Sequence, residues 1–136
     1  MDQLALRVSL VEDHPVLSGL LQEFIATLPR VRSCTVARSA ENALLEIEGN
    51  VPDLMFIDLS LPGMNGIELI RELHTRYPDL PCAILSGHRS KSYARRAMAA
   101  GARGYVLKGE PLEIESAMRA MLAGDCYVTP SMTEDG

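Results

Sequence analysis

Five short apolar runs, each separated from the next by a stretch with helical periodicity, constrain this chain more than any other feature. They are LRVSLV (6–11), SCTVA (33–37), LMFID (54–58), CAILS (82–86) and GYVLK (104–108). Several are continuously apolar, as parallel strands buried on both faces require. Between them, apolar residues recur at helical spacing: Val16, Leu20, Leu21, Phe24, Ile25 and Leu28, then Ala40, Ala43, Leu44 and Ile47. A third set is Ile67, Ile70 and Leu73, and the last is Ile114, Ala117, Met118, Met121 and Leu122. Pro15 sits near a helix start, Pro29 and Pro78 follow helix ends, and Ser39 with Asn42 opens the second helix in the manner of an N-cap. The fourth helix, around residues 90 to 100, carries a thin apolar stripe in SYARRAMAA and is expected to be held loosely against the sheet.

Five β/α alternations predict a doubly wound α/β sandwich of flavodoxin-like (βα)5 type, because each crossover must be right-handed and cover a face. The common strand order of such a five-stranded parallel sheet is 2-1-3-4-5. A length of 136 residues suits one domain with its own core. The formal net charge of -5 argues against a nucleic-acid surface on this segment. Cys34, Cys82 and Cys126 form no C-x-x-C pair and read as reduced core residues. No leader-like N-terminus and no membrane-spanning run is visible, so a cytoplasmic protein without membrane contact is expected.

In an open parallel sheet, ligands bind beyond the carboxyl ends of the strands. Four of the five predicted strands end in chemistry: Glu12 and Asp13 after the first, Asp58 on the third, Ser86 on the fourth and Lys108 on the fifth. Three carboxylates in one cleft repel one another, and a hard divalent cation with oxygen ligands relieves that repulsion. Mg²⁺ fits best, since it takes a few carboxylates with water and phosphate oxygens. Capping of the helix near Pro15 is a second use for Glu12 and Asp13, compatible with the first. Asp58 is then free to act as a nucleophile towards phosphorus, with Lys108 neutralising one phosphoryl oxygen and Ser86 donating to another.

At this point LVEDHP, MFIDLSLPGMNGIEL, AILSGH and GYVLKGEP together resemble the receiver domain of two-component response regulators, over about residues 6 to 124. EDHP and AGDCYVTPSM look most like the NarL/FixJ (LuxR-type) subfamily. The resemblance implies that Asp58 is the phosphoacceptor and that Glu12 and Asp13 are the acidic pair, Asp13 being the more direct Mg²⁺ ligand. It further implies that the backbone carbonyl of Ser60 completes the metal shell, that Ser86 is the hydroxyl switch and that Lys108 is the phosphate-contacting lysine. Tyr105 takes the place of the aromatic that changes rotamer as the hydroxyl moves. Pro62, Gly63 and Gly66 match the loop after the phosphoacceptor.

The same resemblance implies a receiver domain over residues 1–125 and the start of a linker over 126–136, whose tail TPSMTEDG is expected to be exposed. The implied partners are a histidine kinase, a second copy of the chain as a homodimer, and DNA only through a helix-turn-helix domain not present in this chain. It implies no enzyme of external substrates, but a switch that catalyses its own phosphorylation and dephosphorylation. Phosphorylation would then alter the surface of the fourth helix, fifth strand and fifth helix, with Arg95, Arg96 and Met98 on it. The rivals are an unphosphorylated interaction module and a phosphatase with an aspartyl nucleophile. Such a phosphatase carries an acid two residues after the nucleophile, where this chain has Ser60.

Overall fold

The structure, a computed structural model, describes residues 5–130. Each apolar run becomes a strand because its alternate side chains meet apolar partners above and below. In β3 (Leu54–Asp58), Leu54 and Phe56 join one core while Met55 and Ile57 join the other. The remaining predicted strands are β1 (Leu6–Val11), β2 (Val31–Ala37), β4 (Cys82–Ser86) and β5 (Gly104–Leu107). Helices α1 (Pro15–Ala26) and α5 (Leu112–Leu122) cover one face, through Leu21, Ile25, Ile114 and Ala117. Helices α2 (Ala40–Ile47), α3 (Gly66–Arg76) and α4 (Lys91–Ala100) cover the other, through Ala43, Ile70 and Ala97.

The sheet is wholly parallel, and its first five strands run in the expected order 2-1-3-4-5. A sixth strand, β6 (Tyr127–Val128), extends the expected five by pairing in parallel with the outer edge of β5. Thr129, which follows it, is fully buried. Packed structure thus continues past residue 125 through β6 to Thr129, the first residue of the tail TPSMTEDG expected to be exposed; Pro130 is exposed, and residues 131–136 lie outside the described residues.

Three further expectations are corrected. Val16 and Leu20 are 66% and 59% exposed, so α1 buries a narrower face than its apolar content suggests, built on Ser18, Leu21 and Ile25. Cys34 and Cys82 are buried, but Cys126 is exposed in the turn before β6. The cap of α1 is neither Glu12 nor Asp13 but His14, whose Nδ1 accepts from the Leu17 amide at 3.2 Å. Ser39 caps α2 as expected, accepting from the Asn42 amide at 3.0 Å. Helix α4 buries only Ala94, Ala97 and Ala100, the thin methyl face read from the sequence.

Candidate functional site

Strand register brings the polar strand ends together. Val11 pairs with Ile57, which sets Glu12 level with Asp58, and Asp58 pairs with Leu85, one residue before Ser86. Ser86 pairs with Leu107, so Lys108 emerges one step beyond it. Lys108 lies just past the end of β5 rather than within it, anchored by its amide, which donates to the Ser86 carbonyl at 2.9 Å.

The loop from β3 to α3 closes tightly over Asp58. Gly63 takes a φ of +69° in this turn, a left-handed conformation that glycine adopts freely. The Gly66 amide donates to the Leu59 carbonyl at 3.0 Å, and a Cβ at Gly66 would fall 2.4 Å from the Asp58 carbonyl oxygen. Only glycine permits that approach. A reciprocal capping box between Asn65 and Glu68 then starts α3.

Glu12, Asp13 and Asp58 each offer a carboxylate oxygen within 4.8 Å of the others'. Glu12 and Asp58 are 1% and 3% exposed, whereas Asp13 is open to solvent. The Lys108 ammonium bridges the two buried acids, 2.8 Å from Asp58 Oδ1 and 3.0 Å from Glu12 Oε1. Beyond that ion pair, Glu12 Oε1 has no hydrogen-bond partner, although Oε2 accepts from the His14 amide at 3.3 Å. Burial, aided by the nearby Asp58 charge, raises the Glu12 pKa above the ordinary glutamate value, despite the opposing pull of Lys108 and the His14 amide. For Lys108, burial works against the charge, but Asp58 and Glu12 outweigh it and raise the pKa. Three carboxylates and one ammonium leave a formal charge of about -2 in the pocket, which suits one divalent cation.

Asp58 Oδ1 also accepts from the Ser60 amide at 3.3 Å. Both of these contacts fall on one carboxylate oxygen, which leaves Oδ2 for chemistry. Ser86 and Tyr105 are both fully buried. The Tyr105 hydroxyl lies 3.0 Å from Ser86 Oγ and 2.9 Å from the His88 carbonyl, while the His88 amide donates to Ser86 Oγ at 2.9 Å. Burial raises the Tyr105 pKa, keeping the hydroxyl protonated as a donor. The His88 ring turns outward against Tyr93 of α4, edge to face with centroids 5.5 Å apart, and Arg96 lies 5.6 Å over that same tyrosine ring. Sequence reading singled out Ser86, Lys108 and Tyr105 but not the backbone of His88, which joins the serine and tyrosine hydroxyls; backbone roles leave no residue signature.

The geometry defines a class first: a doubly wound parallel sheet with an acidic trio, a hydroxyl and a lysine gathered at its carboxyl edge. The chain belongs to the response regulator receiver domain family, whose pattern it matches over residues 8–119. It is similar to the transcriptional regulatory protein DegU of Brevibacillus brevis, 28% identical over 131 residues, covering 96% of this chain and 56% of that protein. It also resembles the DNA-binding transcriptional activator DevR/DosR of Mycobacterium tuberculosis, 36% identical over 119 residues, covering 87% of this chain and 55% of that protein. This chain thus spans little more than half the length of these relatives. A crystal structure of a LuxR-family two-component response regulator from Aurantimonas sp. SI85-9A1 superposes with a TM-score of 0.90 at 31% identity, covering 96% of this chain and 94% of that one. These likenesses agree with the NarL/FixJ type of receiver. Among the described residues, no helix is long and apolar enough to cross a membrane.

Proposed function

We propose that this chain is a phosphorylation-operated switch in which Asp58 accepts a phosphoryl group from the phosphohistidine of a histidine kinase. The observation that carries this reading is the double ion pair of Lys108 with Asp58 and Glu12, which fixes a cation beside a nucleophilic carboxylate at the sheet edge. Asp58 Oδ2 attacks phosphorus, the new O–P bond forms as the P–N bond to histidine breaks, and the imidazole leaves with that electron pair. Lys108 faces the charge that accumulates on the phosphoryl oxygens.

The residues fit Mg²⁺: Asp13, Asp58 and the Ser60 carbonyl would hold it, with the buried, Lys108-paired carboxylate of Glu12 behind them. When bound, the ion supplies charge neutralisation for the transferring group. The chain's own residues do the positioning. Catalysis is confined to the switch's own phosphorylation and hydrolysis, since Ser60 provides no carboxylic acid where an aspartyl phosphatase needs one.

Readout begins at Ser86. A phosphoryl oxygen on Asp58 competes for the Ser86 hydroxyl, and the His88 amide, bonded to Ser86 Oγ, follows it. Tyr105 holds the His88 carbonyl, and the His88 ring carries the displacement to Tyr93 and Arg96 on α4. Helix α4, whose buried side chains are three alanines, has less buried apolar side chain than any other helix of the sandwich to resist it. Its exposed Arg95 and Arg96, with Met98, belong to the surface that contacts a second copy or an output domain. DegU is a transcriptional regulatory protein and DevR/DosR a DNA-binding transcriptional activator, and on this reading the switch controls transcription through a DNA-binding helix-turn-helix output domain.

The test uses phosphoramidate, a small P–N phosphodonor, with Mg²⁺, followed by borohydride reduction, which converts an aspartyl phosphate to homoserine. Peptide mass spectrometry should find homoserine at position 58. Conversion at another acid instead would overturn the assignment.

A further inference from the structure

Strand β5 is paired with β4 on one side, so its remaining backbone groups need partners on the other. Strand β6 supplies them in an unequal way. The Tyr127 amide donates to the Arg103 carbonyl at 2.9 Å, and the Thr129 amide donates to the Tyr105 carbonyl at 3.0 Å. The next group, the Leu107 amide, meets no carbonyl. It donates instead to the side-chain Oγ1 of Thr129, at 3.0 Å.

Thr129 is fully buried, so water cannot substitute for that hydroxyl. Leu107 immediately precedes Lys108, whose amide is held from the opposite side by the Ser86 carbonyl at 2.9 Å. Leu107 is therefore clamped between the two neighbours, its own amide held by the residue after β6 and the following amide, that of Lys108, held by β4. Strand β6 is itself pinned to α5, because the Tyr127 hydroxyl donates to Glu113 Oε1 at 3.0 Å.

We propose that Thr129 is a positioning residue for Lys108: its hydroxyl sets where β5 ends, and so where the ammonium stands relative to Asp58 and Glu12. The claim about position stands on the geometry alone. Its kinetic consequence rests on Asp58 being the phosphoacceptor.

Thr129→Val keeps the shape and removes the acceptor, and Thr129→Ser restores it. Two readouts are made on all three proteins, each first checked for a native-like amide spectrum. One is the ¹³Cε and ¹⁵Nζ resonance of Lys108, which reports its ion pairs without any phosphodonor. The other is the rate of phosphoryl uptake from acetyl phosphate at saturating Mg²⁺. In Thr129→Val the Lys108 resonances should move towards those of a solvated lysine and uptake should slow about tenfold, the scale expected when a catalytic group is misplaced by a fraction of an ångström. Thr129→Ser should return both towards the parent. Unchanged Lys108 resonances in a folded Thr129→Val protein would overturn the proposal. If the parent itself takes up no phosphoryl group, the phosphoacceptor reading fails and the resonances alone decide on Thr129. Should Thr129→Val not fold, Thr129→Ala replaces it with the same two readouts and the same deciding outcomes.

Discussion

The Lys108 ammonium stands 2.8 Å from Asp58 Oδ1 and reaches Glu12 Oε1 with the same nitrogen. One cation thus partly neutralises two buried acids that would otherwise repel, while the exposed Asp13 completes the trio without its help. Lys108 and a divalent ion answer the same excess of negative charge, and this relation sets the first prediction.

Replacing Lys108 with Met removes a charge from the pocket. Mg²⁺ should then bind about tenfold more tightly, because unit charges about 4 Å apart interact by ~1 kcal/mol in bulk water and ~4 kcal/mol near a protein surface. Phosphoryl uptake should fall at least about tenfold, since positive charge at the transferring group is lost. Calorimetric Mg²⁺ titration and a time course of uptake check the two halves. Weaker Mg²⁺ binding in the variant would show that Lys108 organises the cation site rather than competing with it.

Glu12 gives a pH dependence whose sign follows from its raised pKa. The folded protein binds a proton at Glu12 more readily than the unfolded chain, so this residue costs stability as pH rises past the ordinary glutamate range near 4.5. Lys108 acts differently, since its raised pKa contributes stability below the ordinary lysine range, lost only as pH rises through the raised folded value. Glu12→Gln should therefore stabilise the metal-free protein at pH 7. The gain should shrink by pH 4. Urea unfolding at the two pH values measures both.

Tyr105→Phe takes the hydroxyl donor from the His88 carbonyl and from Ser86 while leaving the buried ring in place. Loss of a buried hydrogen bond should cost about 1 kcal/mol in stability. Phosphoryl uptake should be nearly unchanged, since the ring touches no reacting atom. Amide shifts in α4 induced by beryllofluoride, a phosphoryl mimic, should diminish if Tyr105 helps carry the change from Ser86.

The cysteines divide by burial. Burial pushes the Cys34 thiol up to about 11 and the Cys82 thiol up to about 12. Both stay protonated at pH 8, and the thiolate is the reactive form. Iodoacetamide should alkylate one thiol per native chain, Cys126, with the other two reacting only on unfolding. Above about pH 9 the unfolded chain ionises these thiols while the folded one does not, so they make stability fall as pH rises further.

Much of this arrangement is visible before folding is known. Continuous apolar runs ending in Asp58 and Ser86 announce buried strands whose last residue faces a cleft, and the register then places them side by side. What escaped has physical reasons. Tyr127–Val128 is too short to show an alternation pattern and follows Gly124 and Asp125, so it reads as the beginning of a linker. Thr129 gives no apolar signal at all, although its hydroxyl completes the sheet. Val16 and Leu20 fit a helical repeat as well as Leu21 and Ile25 do, and only the placement of α1 against the sheet decides which pair is buried. The His14 cap is invisible because histidine is not among the usual capping residues.

The most direct test of the central claim is the intact mass of the protein after incubation with acetyl phosphate, with and without Mg²⁺, for the parent and for Asp58→Asn. A single phosphoryl adduct is expected on the parent, one that requires Mg²⁺ and is missing from the variant. An adduct that persists in Asp58→Asn, or a folded parent that takes up none from acetyl phosphate or phosphoramidate, would contradict that claim.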